Sequence, residues 1–165
     1  MIKGMLIPWM LGTLSLIYTY RINKKYLKVD FDAIKSFMVF MLWLTLFRTV
    51  LFFASSNPME GILHLINPWL MLGVFWEDAV FVLPLIVLKD EKNIPKVLYY
   101  VLFAISTATF TLGHSYQGIM GLTSAVYIYF STKYGRQYGF GTVMICHTLY
   151  DLITYFGALA YVGAK

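Results

Sequence analysis

Three short runs place ionisable side chains among residues that are almost wholly apolar. Glu77 and Asp78 are adjacent within Gly73-Val74-Phe75-Trp76-Glu77-Asp78-Ala79-Val80-Phe81. His114 closes the run Phe110-Thr111-Leu112-Gly113-His114, and His147 and Asp151 lie in Cys146-His147-Thr148-Leu149-Tyr150-Asp151. On a helix, Phe110 and His114 share a face, as do His147 and Asp151, because each pair is four residues apart. Glu77 and Asp78 point about 100° apart. They cannot form a symmetric dyad, but one can face a cavity while the other supports it. A carboxylate beside a neutral histidine can activate water for attack on a carbonyl. A second histidine can donate to the oxyanion that develops. Each group also has a plainer reading: a polar pair tying two helices, a histidine at a helix end, a structural histidine–aspartate pair.

The elements that must hold these residues are membrane helices. The chain of 165 residues is 59% hydrophobic and only 13% charged, whereas a soluble domain is about half apolar and a quarter charged. Its charges fall in short clusters between long apolar stretches, the pattern of a polytopic membrane protein. Crossing the hydrocarbon takes about 20 apolar residues as a helix. Six stretches are candidates: Met5–Tyr20, Ala33–Ala54, Leu63–Leu88 with Pro68 and Pro84 near its ends, Pro95–Gly113, Gly118–Thr132 and Phe140–Val162. Residues 1–165 thus read as a single all-α membrane bundle. An ionised group at mid-bilayer costs at least about 2.5–3.5 kcal/mol, so the acids and histidines must face its interior.

The intervening segments alternate in charge. Arg21, Lys24, Lys25, Lys28 and Lys35 surround the first, Lys89, Lys92 and Lys96 follow the third helix, and Lys133 and Arg136 precede the sixth. Ser55–Ile62 and Ser115–Gln117 carry no Lys or Arg. The positive-inside rule makes the basic segments cytoplasmic and both termini external. A first helix lying on the surface would instead leave five spans and a cytoplasmic N-terminus. Met5–Tyr20 has no small-residue cleavage site after it and reads as a retained helix. Ser55-Ser56-Asn57-Pro58 and Tyr134-Gly135-Arg136 read as tight loops. The net charge of +5 is explained by these flanking residues, and no nucleic-acid partner is expected. The plentiful Tyr and Trp read as interfacial anchors, and a plasma membrane is the expected location.

Other chemistries fit less well. Cys146 is the one cysteine, so no intrachain disulfide forms, and its side chain diverges from that of its neighbour His147. His64 reads as interfacial. Arg48, inside the second run, can snorkel or pair with Glu77, Asp78 or Asp151. There is no HExxH motif and no phosphate-cradling glycine loop. Glu77, His114, His147 and Asp151 also form a credible ligand set for Zn²⁺. A proton relay of a transporter would use similar residues, although no internal repeat supports one.

Taken in order, these runs resemble the CPBP or Abi family of glutamate intramembrane proteases, which includes type II CAAX prenyl proteases and bacteriocin-processing enzymes. That family carries EExxxR, FxxxH, and HxxxN or HxxxD. Glu77-Asp78 with Phe81 looks like the first motif, Phe110 to His114 matches the second, and His147 to Asp151 matches the third. The segment between the last two, from Gly121-Leu122 through the aromatic run to Tyr129 and Gly135, is similar as well. The likeness covers roughly Val74–Phe156. It implies an intramembrane endopeptidase without a cofactor, acting on a peptide or protein at the membrane. Glu77 with His114 would activate water, Asp78 would support Glu77, His147 with Asp151 would bind the oxyanion, and Phe110 would pack beside the site. Two departures stand out: Asp78 is one methylene shorter than the family's second Glu, and Val82 replaces its Arg. Arg48 is the expected substitute for that countercharge. A member lacking the motif Arg could instead be an inactive scaffold or immunity factor that holds a partner helix.

Overall fold

The computed structural model describes residues 2–53, 68–114 and 121–163. Those residues are all-α: α1 (Ile2–Ile22), a 3₁₀ turn (Lys24–Leu27), α2 (Phe31–Phe53), α3 (Pro68–Phe81), α4 (Leu83–Leu88), α5 (Lys96–Gly113), α6 (Thr123–Tyr138) and α7 (Phe140–Gly163). His64, the Ser55–Ile62 segment and the Ser115–Gln117 segment lie outside the described residues.

Local chemistry sets several boundaries. Asn23 accepts a hydrogen bond from the Lys25 amide and opens the 3₁₀ turn. The Asp30 carboxylate caps α2 by accepting from the Ala33 amide at 3.1 Å, satisfying one of the amides that a helix start leaves unpaired. Pro95 precedes α5. Between α6 and α7 the chain turns on one residue, Gly139, whose φ of 98° is the only positive value among the described residues. A Cβ there would lie 2.2 Å from the Lys28 carbonyl oxygen.

Two expected elements differ. The third apolar stretch is not one helix, because it breaks at Val82 between α3 and α4. Pro84 cannot donate to the carbonyl four residues back and its ring crowds that turn. The Phe81 carbonyl takes a bond from Ser106 Oγ at 2.9 Å. The fifth helix begins later and ends later than expected, running through Tyr134-Gly135-Arg136 to Tyr138. Gly135 serves close helix approach and not a loop, since a Cβ would fall 2.2 Å from Ile86 Cδ1.

α1 is a bundle member packed along α3, with Trp9 and Trp76 rings 5.7 Å apart. α2 rests on α7, and α6 lies among α4, α5 and α7. The basic segments converge at one end. Tyr26 of the 3₁₀ turn donates to Asp90 at 2.8 Å, Arg136 of α6 pairs with the same carboxylate at 2.6 Å, and Lys28 abuts Gly139.

Three helices, over Phe31–Leu51, Lys96–Gly113 and Phe140–Ala160, are long and apolar enough to cross a membrane. Their outward faces carry large apolar side chains, among them Trp43, Leu112 and Phe156 at 67%, 71% and 62% exposure. Polar groups are buried instead: Asp78, Thr123, Ser124, Ser131, Thr132, Thr142 and His147. A surface this apolar suits a membrane.

Candidate active site

α3 and α5 run antiparallel past one another with a fixed register. The Ser106 hydroxyl bonds the Phe81 carbonyl, and the Phe81 and Phe110 rings meet edge to face at 5.4 Å. One turn back along α3 is Glu77, and one turn forward along α5 is His114. Antiparallel travel carries both the same way, so they meet: Glu77 Oε2 is 4.0 Å from His114 Nε2. Glu77 reads as mid-span and His114 as terminal in sequence. The register brings them together without α5 extending further, for His114 itself caps that helix.

The second cluster forms where α3, α6 and α7 converge. Asp78 is fully buried. Tyr127 of α6 donates its hydroxyl to Asp78, with Oδ1 at 2.8 Å and Oδ2 at 3.0 Å. His147 Nδ1 lies 3.0 Å from Asp78 Oδ2 and 2.8 Å from the Tyr127 oxygen. His147 Nε2 points to the other side, 3.8 Å from Asp151 Oδ1. The family resemblance assigns Asp78 to Glu77. Its hydrogen bonds run instead to Tyr127 and His147, because Glu77 and Asp78 leave the helix in different directions.

The two histidines are held alike. His114 Nδ1 is 2.8 Å from the Phe110 carbonyl oxygen. A carbonyl only accepts, so Nδ1 carries the proton. An ionised Asp78 also only accepts, which places a proton on His147 Nδ1. Each ring is therefore pinned through Nδ1, and each presents Nε2 to a carboxylate, Glu77 for His114 and Asp151 for His147. Fixing one nitrogen in this way sets the role left to the other.

Accessibility differs between the clusters. The Glu77 and His114 side chains are 34% and 20% exposed, whereas Asp78 and His147 are at 0% and 10%. Phe110 walls the site, its ring 4.4 Å from the His114 ring and stacked 5.9 Å from that of Tyr127. Arg48 does not snorkel freely. Its Nη1 donates to the Tyr150 hydroxyl at 2.9 Å. Val82 is fully buried among apolar side chains.

Among the described residues, no three His, Cys, Asp or Glu side chains come together as a metal-ligand group. Glu77, His114, His147 and Asp151 pair off as Glu77–His114 and His147–Asp151. This donor set does not fit a tetrahedral ion as arranged, since zinc needs all its ligands at about 2.0–2.3 Å from one point.

Tyr127 is the site residue that sequence reasoning passed over. A usable signal existed, for Ser124, Tyr127 or Ile128, and Ser131 recur at helical spacing and all are buried, a small-polar stripe in an otherwise greasy chain.

Comparison with protein-family models, with curated proteins and with solved structures gives no match.

Proposed function

We propose that this protein is a multi-pass integral membrane peptidase that hydrolyses a peptide bond of a membrane-associated substrate with a water activated by Glu77 and His114. The observation that carries this reading is the Glu77–His114 pair, 4.0 Å apart and partly open. That gap is too long for a direct hydrogen bond, yet a water about 2.8 Å from both groups would subtend about 90° between them. The resemblance in the three motifs supports the same assignment, and the apolar outer faces support placement across a membrane.

In the proposed reaction the water oxygen attacks the scissile carbonyl carbon while its proton passes to Glu77. His147, held through Nδ1 by Asp78 and Tyr127, offers an Nε2 proton to the oxyanion. Asp151 lies beside that nitrogen at 3.8 Å. Collapse breaks the C–N bond, and the leaving amine takes the proton from Glu77, with His114 orienting the exchange. The arrangement gives Asp78 the countercharge role toward His147, so the buried acid is balanced without an Arg at position 82.

The test is cleavage of a peptide library by purified protein, with and without chelator, comparing wild type with Glu77→Gln. General-base loss predicts a fall of about 10²–10⁴-fold in rate, with wild-type cleavage surviving chelation. Full cleavage by Glu77→Gln refutes the proposal. Activity lost to chelator and restored by Zn²⁺ reassigns the chemistry to a metalloprotease.

A further inference from the structure

The seam between α5 and α6 has two adjoining hollows that no step of the proposed reaction uses. The first, about 330 Å³, lies at the basic end and is lined by Lys89, Lys133, Arg136, Tyr99, Tyr100 and Thr132. The second, about 590 Å³, continues along α5 over Ala104, Thr107, Ala108 and Thr111, with Ala125 of α6 on its other side. Phe103 borders both.

The two hollows differ in chemistry. In the basic one, Lys89 Nζ stands 4.3 Å and 4.7 Å from the centres of the Tyr99 and Tyr100 rings. Arg136 already shares its charge with Asp90, so the net excess is that of Lys89 and Lys133. Thr132 is 4% exposed, and among the described residues its hydroxyl has no hydrogen-bond partner. A buried hydroxyl left so is costly unless something completes it. The second hollow is apolar in lining, with Phe103 and Leu112 beside the small side chains, and the Thr107 and Thr111 hydroxyls are also unpartnered among the described residues. A cationic pocket with a spare donor, separated only by Phe103 from an open apolar groove along a membrane helix, suits an amphiphile with a negative head.

We propose that the α5–α6 seam binds one anionic phospholipid, its phosphate at Lys89, Lys133 and Thr132 and an acyl chain along Ala104, Thr107 and Ala108. Basic pockets between membrane helices on the cytoplasmic side recognise such head groups, and Lys89, Lys133 and Arg136 belong to the segments that the positive-inside rule places there. The inference rests on the membrane placement and not on the proteolytic reading. It gives the cations a role beyond orientation, and it puts a lipid against the helix that ends in His114.

The experiment reconstitutes the full chain in phosphatidylcholine vesicles containing trace spin-labelled phosphatidylglycerol or spin-labelled phosphatidylcholine, and reads the motionally restricted fraction. Wild type is expected to prefer phosphatidylglycerol by about fivefold for each lysine engaged. Lys89→Gln with Lys133→Gln is expected to lose the preference with unchanged circular dichroism. Thr132→Val, which leaves the charges in place, is expected to weaken it. Equal affinity of wild type for the two lipids, or full preference retained by the double variant, overturns the proposal. Binding of inorganic phosphate to the pocket of detergent-solubilised protein, with no preference between the two lipids in vesicles, also overturns it by reassigning the pocket to a free anion. Alkaline extraction of the same vesicles separates the two premises: protein stripped into solution fails the membrane placement, whereas protein retained without lipid preference fails the lipid site alone.

Discussion

One hydroxyl contacts both members of the directly paired Asp78 and His147. Tyr127 donates to the buried carboxylate and lies against Nδ1 of the histidine, so Tyr127→Phe leaves the ring and removes the bridge. A hydrogen bond to a charged group contributes about 1.5–3 kcal/mol, and thermal unfolding in detergent is expected to register a loss of that size. If His147 serves the oxyanion, kcat for peptide cleavage also falls while KM holds, a split that simple destabilisation does not produce. The acids and histidines were legible because ionisable groups in apolar runs need a reason to be there. Tyr127 was not, because it is one of 13 tyrosines and most tyrosines in a membrane chain are explained by the interface. The partner of Asp78 was illegible for another reason. The direction in which each of two neighbouring acids leaves a helix depends on which helices surround it, and spacing within one run does not contain that.

At the scale of elements, the α6–α7 junction is the most constrained. Gly139 combines positive φ with a Lys28 carbonyl oxygen where a Cβ would go. Backbone at this angle is nearly closed to side chains and costs about 1–3 kcal/mol to impose. The clash with a backbone atom adds to that, since the oxygen cannot rotate away. Gly139→Ala is expected to lower the midpoint of thermal unfolding by more than Gly113→Ala, where a Cβ meets nothing within 4 Å. Equal shifts would contradict this account. Helix existence was readable from long apolar runs, and α5 was read to within one residue because Pro95 and Gly113 bracket it. Gly135 misled because glycine marks both loops and close helix crossings, and only the presence of Ile86 opposite distinguishes them. Pro84 is visible in sequence, but whether a proline bends a helix or ends it depends on how the neighbouring helices serve the carbonyls around it, as Ser106 of α5 does for Phe81.

For the molecule as a whole, the Tyr26–Asp90–Arg136 network ties two connections to the end of α6 at the basic end. Burial raises the Asp90 carboxyl, but the hydrogen bonds from Tyr26 and Arg136 and the positive charges of Arg136 and Lys25 outweigh it and hold the group below its ordinary value. A carboxylate depressed on folding stabilises above its unfolded pKa, and that contribution disappears as pH falls through the folded one. Stability is therefore expected to decline below about pH 4, and Asp90→Asn to flatten that decline in melts taken across the acid range. Tyr26 behaves oppositely: burial and the bond to Asp90 push it up to about 12, so its contribution persists through the ordinary tyrosine range and fades only above it. Orientation has its own test. Cys146 is fully buried, so Lys92→Cys and Gln137→Cys, both at exposed positions, can be labelled without removing it. Both are expected to react from the cytoplasmic side in intact cells, and labelling from outside would invert the topology. The convergence of the basic segments at one end agrees with the alternation of basic and uncharged segments along the chain.

The seat of α2 on α7 has a consequence for how the protein is made. The Asp30 amide donates to Thr142 Oγ1 at 2.8 Å, and Cys146 Sγ approaches the Ile34 carbonyl at 3.8 Å. The start of the second helix is thus completed by residues that leave the ribosome more than a hundred positions later. A nascent chain holding only the first half can pair α1 with α3 but has no final partner for α2. The seat of α2 must wait until translation is nearly over.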